Sequence, residues 1–179
     1  MKRVAVQDDR AKLRFMRQNA HRAARRPNVV EVASRIVRPF RPDDYRAQAS
    51  ELHRFVRDGI RYQRDPDRRE QLADPRASIW RGFGDCDDKA ADAMALSNAV
   101  GLDADIWPVW KGDMLAHVQW ATRWPGSERL PQSRDGGEVL DGPPGKGWLV
   151  SDPTIAGAEL GVDPQFLPRN PETGKLPLS

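Results

Sequence analysis

The sequence predicts an α+β domain, with helices ahead of a small antiparallel sheet. Three observations predict it. Helical apolar spacing recurs from residue 8 to residue 100. The pattern then turns strand-like over 103–110 and 114–122, where Trp, Val and Ile dominate. Pro, Gly and Asp punctuate each change. Helices followed by strands read as α+β rather than alternating α/β. The 179 residues suit one core, and 39% hydrophobic with 31% charged residues describes a globular chain with a heavily charged surface.

The elements follow in order. Residues 8–26 read as a basic helix with a narrow apolar stripe of Leu13, Met16, Ala20 and Ala23 or Ala24, ended by Pro27. A short helix over 28–37 presents Val29, Val32 or Ala33, and Ile36 on one face. Pro39 and Pro42 break the chain, and Asp43 and Asp44 supply a cap and negative charge for a helix running to Asp58. Tyr45, Ala49, Leu52 and Phe55 or Val56 face inward there, and Gly59 closes it. Residues 60–62 are extended, and 64–78, with Pro66 and Pro75, read as a polar loop. From Cys86 to Val100 the pattern is helical again, with Asp85 as cap and Gly101 as stop. Its small inward residues Ala90, Ala93 and Ser97 predict a central helix. Lys111-Gly112-Asp113 turns one strand into the next, residues 125–146 read as a long Gly/Pro-rich surface loop, and 147–151 as a last short strand. The Pro-rich tail from Gly161 is expected to be irregular.

Several chemistries are excluded. The longest apolar stretch, near Ile106–Trp110, is far short of the roughly 18 residues of a membrane helix. The first residues carry no apolar signal-peptide core, so the expected location is cytoplasmic. One cysteine and three histidines offer no zinc-ligand spacing and no internal disulfide, and no Walker-type or GxGxxG run is present. Charge is uneven. Residues 1–26 hold nine basic and two acidic residues, +7, against a net +3 for the chain, so the remainder carries −4. This reads as a basic arm docking an acidic partner or an assembly. Nucleic-acid recognition lacks support, because the arm has only Phe15 as an aromatic and no known motif.

One segment concentrates chemistry: Arg81-Gly82-Phe83-Gly84-Asp85-Cys86-Asp87-Asp88-Lys89. The only cysteine stands at a predicted helix start, whose unpaired N–H groups and about half a positive charge favour a thiolate. The glycines predict close approach of a substrate carbonyl, and the backbone N–H groups an oxyanion site. Asp85, Asp87 and Asp88 oppose a second negative charge, so an imidazolium partner is required. His21 lies among arginines and His53 off its helix's apolar stripe, so both read as surface residues. His117 lies on a strand beside Val118 and Trp120. Asp152 ends the apolar run Trp148-Leu149-Val150-Ser151 and precedes Pro153, at a sheet edge from which it can fix an imidazole tautomer. Singly, each residue also fits a structural role: a buried core thiol, a core histidine, a turn-forming Asp-Pro.

Cys, His and Asp in this order, on a helix start and two strands, match papain-type chemistry. Gly-Asp-Cys-Asp-Asp-Lys-Ala, His-Val-Gln-Trp and Trp-Leu-Val-Ser-Asp-Pro-Thr resemble the transglutaminase-like superfamily of the papain-like fold, as does Phe55-Val56-Arg57-Asp58-Gly59-Ile60-Arg61-Tyr62 upstream. The resemblance spans residues 43–157 and is greatest to short bacterial and phage-encoded members. It implies a catalytic domain over 43–179, with a Cys-bearing helix packed on a small antiparallel sheet, preceded by the basic helical arm, taken as 1–42. It further implies Cys86 as nucleophile, His117 as general base and acid, and Asp152 as orienter. The His–Asp separation of 35 residues exceeds the family's usual fifteen to twenty, and an insertion at 125–146 accounts for the excess. Trp80 and Tyr62 are candidates for the aromatic that assists the oxyanion, and Trp120 for the substrate groove. The expected chemistry needs no cofactor; calcium near Asp87 and Asp88, as in some relatives, is the alternative to a helix-start role for those charges. The implied activity is a peptidase or amidase on protein or peptide substrates, through a thioester. The alternatives are a transglutaminase with an amine acceptor and a non-catalytic assembly module, virion-associated if the chain is phage-encoded.

Overall fold

A computed structural model describes residues 8–65 and 71–162 and shows an α+β architecture. Helix α1 spans Asp9–Ala23, its start capped by the Asp8 carboxylate, which accepts the Arg10 N–H at 2.9 Å. Helix α2, Pro27–Val37, follows after three residues, with Pro27 in the first turn where its missing N–H costs nothing. Helix α3, Tyr45–Arg54, is capped by Asp44 and runs into a π-helical turn at Phe55–Gly59. Strand β1, Arg61–Tyr62, pairs in parallel with β2, Phe83–Gly84, and helix α4, Pro75–Arg81, lies between them in sequence. Helix α5, Cys86–Ala99, is buried on every side over residues 87–97, Asp87, Asp88, Lys89 and Asp92 included. That is the position of a central helix.

The three-stranded sheet is antiparallel in the order β3, β4, β5. Strand β3 is Asp103–Lys111, β4 is Met114–Arg123 and β5 is Leu149–Ser151. The Lys111–Met114 pairing closes the hairpin, and Trp120 stands opposite Ser151. One face of the sheet joins the main core through Ile106, Val118 and Trp120, packed with Ala90, Ala93 and Met94 of α5. The other holds a smaller cluster of Trp107, Ala121, Trp148 and Val150.

Four expectations change. Residues 64–78 are not all loop: Asp74 accepts the Arg76 N–H and Pro75 opens α4, so this Asp-Pro pair starts a helix. The boundary drawn at residue 42 is not one in packing. Leu13, Met16, Ala20, Val29 and Ala33 share one core cluster with Leu52, Val56 and α5, because the alanine-rich stripe of α1 allows close approach to the small residues of α5. The 125–146 segment is not a free surface loop: Gly136 and Arg134 make backbone hydrogen bonds to Gly145 and Trp148, and Arg123 lies 4.3 Å over the Trp148 ring. His53 is buried rather than on the surface, its ring stacked on Trp120 at 5.7 Å. The tail from residue 163, and Lys2 and Arg3 of the basic segment, lie outside the described residues. Among the described residues no helix is long and apolar enough to cross a membrane.

Candidate active site

Cys86 is the first residue of α5, and the chain reaches it through a tightly built entry. Gly82 ends α4 in the left-handed conformation, φ +68°. Gly84 leaves room for the next helical turn: a Cβ there would stand 2.6 Å from the Cβ of Asp88. The two glycines therefore serve chain geometry, and the space expected for a substrate carbonyl at Gly84 is filled by Asp88. Asp85 caps α5 as predicted, accepting N–H groups from Asp87 and Asp88 at 3.0 and 3.2 Å.

The electrostatics of the thiol run against the sequence expectation. Burial pushes the Cys86 thiol well above its ordinary value, and the charges of Asp87 and Asp85 push it further. Lys12 of α1 acts in the opposite direction, and the Asp152 carboxylate again raises it. The thiol donates to Asp87 Oδ1 at 3.8 Å. The helix start is thus outweighed by desolvation and by carboxylates on both sides, and the resting group is a thiol.

His117 and Asp152 meet directly. His117 Nε2 lies 2.7 Å from Asp152 Oδ2, although 35 residues separate them in sequence. Strand β4 carries the imidazole next to a register shift between Val109 and Trp110 of β3, and Val109 is the residue paired with His117. Irregularities of this kind re-aim a side chain. Asp152 follows the last residue of β5, and its second oxygen accepts from Thr154 N and Oγ1 at 2.9 and 2.5 Å. Burial opposes its charge, but the His117 and Thr154 hydrogen bonds outweigh burial and hold the carboxyl below the usual carboxylate range. Buried His53 adds a hydrogen bond to the Asp152 backbone, and desolvation first, then the Arg57 charge, lower its pKa to about 4, so it is neutral.

The aromatic candidates separate. Tyr62, 45% exposed on β1, has its pKa raised by burial first and then by the charge of a Cys86 thiolate, which places it near the sulfur. Trp80 is 88% exposed on α4 and lines an open cavity with Val29, Val32 and Ile79 rather than a surface at Cys86. Trp120 is fully buried in the core and is not a groove residue. For calcium, Asp87 and Asp88 are a poor pair. Asp87 Oδ2 is taken by Lys12 Nζ at 2.6 Å, and Asp88 Oδ1 accepts the Ala73 N–H at 2.9 Å. Asp85 and Asp87 do converge, but the third member of the group is the Cys86 sulfur, a soft donor unsuited to a hard cation. Sequence reasoning did not find Lys12, Thr154 or His53 as neighbours of these groups. Only Thr154 carried a signal, as the hydroxyl residue two after an acid, the spacing of an Asx turn.

No protein-family model and no curated protein matches this sequence. Among solved structures, the fold is similar to a protein of Parabacteroides distasonis ATCC 8503 whose crystal structure is described as that of a putative protease. The TM-score is 0.56 at 10% identity, over 68% of this chain and 26% of that one. The chain therefore spans about a quarter of that protein's length, and the likeness is one of fold.

Proposed function

We propose that this chain is a cysteine peptidase or amidase of transglutaminase-like type, with Cys86 as nucleophile, His117 as general base and acid, and Asp152 as orienter. The observation that carries the reading is the 2.7 Å bond from His117 Nε2 to a buried, ionised Asp152, in a chain whose single cysteine opens the central helix against the same sheet. The α+β likeness to a protein described as a protease supports it at the level of fold.

With Nε2 committed to Asp152, Nδ1 is the imidazole nitrogen left for the thiol. Because the resting thiol is held protonated, the proton moves as the nucleophile attacks, rather than in a preformed ion pair. Sulfur adds to an amide carbonyl while His117 takes its proton. The Cys86 N–H, in the first helical turn where no intrahelical acceptor exists, supports the oxyanion. Collapse expels the amine with the proton from His117 and leaves a thioester. Water, deprotonated by His117, then releases the acid and restores the thiol. Asp152 holds the imidazole's tautomer and stabilises its charged form throughout.

The substrate class is a protein or peptide. The docking of an acidic partner by the basic segment rests on Arg22, Arg25 and Arg26, which with His21 line an open cavity of about 260 Å³. Labelling with a thiol-reactive amide-mimic probe at neutral pH tests the catalytic reading. Wild type is expected to form a covalent adduct that Cys86→Ala abolishes and His117→Ala slows by about a hundredfold or more, the usual size of a general-base effect. Equal labelling of wild type and His117→Ala would instead favour the non-catalytic module.

A further inference from the structure

We infer that Lys12, on helix α1, is a positioning residue for Cys86, acting through Asp87 to make the thiol ionisable during attack. The inference rests on the catalytic reading above. Lys12 Nζ binds Asp87 Oδ2 at 2.6 Å, and the side chains are only 13% and 3% exposed. The other oxygen of the same carboxylate accepts the Cys86 thiol at 3.8 Å. Lys12, Asp87 and Cys86 thus form one line from the N-terminal helix to the sulfur. A buried carboxylate this close to the sulfur opposes a thiolate strongly unless its charge is matched. Lys12 matches it, and by holding Oδ2 it fixes which oxygen faces the thiol.

The other groups that act most strongly on Cys86 are not cations. Asp85 on its own helix end and Asp152 beyond β5 are acidic, and Tyr62 on β1 is a phenol. His117 on β4 is engaged with Asp152 and, on the catalytic reading, is the group that takes the thiol proton. Of the charges that act most strongly on the thiol, Lys12 is the cation, and it lowers the thiol's titration. The placement of α1 is independently secured. Asp9 Oδ2 accepts the Leu115 N–H at 2.7 Å, two residues before His117, and Arg17 binds Asp105 at 2.6 Å. The helix therefore ties the cysteine's neighbour to the strand pair that carries the histidine.

The test is the pH profile of iodoacetamide alkylation of the full chain, read on wild type, Lys12→Met, Lys12→Arg and Asp87→Asn. Lys12→Met is expected to slow alkylation at pH 7 by roughly tenfold, one pKa unit, and to move the profile to higher pH. Lys12→Arg should keep most of the wild-type profile, and Asp87→Asn should move it to lower pH. A Lys12→Met profile superimposed on wild type would overturn the inference. Should Lys12→Met fail to fold, Asp87→Asn decides alone: faster alkylation supports the coupling and an unchanged profile overturns it. The amide-mimic probe reads the catalytic proposal separately. Wild type that labels, with profiles that do not move, sinks the Lys12 role only; wild type that fails to label, with profiles that move as stated, sinks the peptidase reading only.

Discussion

At the scale of single residues, the site is defined by which oxygen of each carboxylate is used. Asp152 gives one oxygen to His117 and the other to Thr154, so Thr154→Val removes a hydrogen bond to a charge and leaves only the backbone N–H. Such bonds are worth about 1.5–3 kcal/mol. Thr154→Val is expected to lower kcat of the amidase by several-fold with KM nearly unchanged, and a wild-type kcat would remove Thr154 from the support of Asp152. Asp88 carries the opposite consequence of burial. Desolvation raises its pKa from 3.8 to about 6. The folded state therefore binds more protons than the unfolded state between these values, and stability is lost as pH rises through that window. At pH 7 the ionised, buried Asp88 costs up to about 3 kcal/mol. Asp88→Asn, whose amide oxygen can still accept the Ala73 N–H, is expected to melt higher than wild type at pH 7, with the advantage gone below about pH 4. Denaturant unfolding at both pH values checks this, and an advantage independent of pH would contradict it. That Cys86 opens a helix and that Asp152 follows a strand was legible in sequence, because a helix or strand signal changes at each. The direction of the thiol's shift was not legible, since it depends on desolvation and on a lysine 74 residues away in sequence.

At the scale of elements, the most constrained unit is the entry from β2 into α5. Lys89, buried on the next turn of α5, donates to the carbonyls of Arg57 and Ile60 at 3.0 and 2.8 Å and so satisfies acceptors at the end of the π-helical turn. The central helix thereby fixes how α3 hands over to β1, where Tyr62 lies. Gly84 closes the same unit, with no space for a Cβ beside Asp88. Its backbone is not left-handed, so the constraint is space alone. Gly84→Ala is expected to destabilise by about 1–3 kcal/mol, the cost of overpacking, and to slow probe labelling because the shift falls two residues before Cys86. A Gly84→Ala protein with unchanged unfolding and labelling would show that Asp88 gives way freely. Element type was mostly readable here. Cap residues Asp44 and Asp85 and the strand alternation of 114–122 marked their elements to within a few residues. Helix α4 was missed because Pro75 read as a loop signal rather than as the first residue of a capped helix. His53 was misplaced because its partner, Trp120, comes from a strand that no helical wheel contains.

At the scale of the whole molecule, the N-terminal helix expected as a docking arm is packed as a structural element. Arg10 pairs with Asp141, Lys12 with Asp87 and Arg17 with Asp105, so three of the nine basic residues that suggested docking are paired with the body of the molecule. Charge counting shows an excess but not its direction, and the acidic body that balances it supplies these partners. The apolar side is equally committed. Leu13 and Met16 are fully buried, and each such side chain contributes roughly 1.5–3 kcal/mol. Ala20 and Ala23 add close contact with the core that α5 shares. Deleting residues 1–26 would expose α5 and part of β3, and would leave Asp87, nearly inaccessible to solvent, without its lysine. A buried pair broken by loss of one partner costs about 3–5 kcal/mol. Together with the apolar loss this rivals the whole stability of a domain, about 5–15 kcal/mol. The truncated chain is expected to lose cooperative unfolding and to bind a hydrophobic dye. The milder Leu13→Ala should remain folded but less stable by about 2–5 kcal/mol. Thermal unfolding of both variants checks the argument. A truncated protein that still melts cooperatively near the wild-type temperature would return α1 to the status of a detachable arm, and the ion pairs of Arg10, Lys12 and Arg17 would then be surface contacts of little energetic consequence.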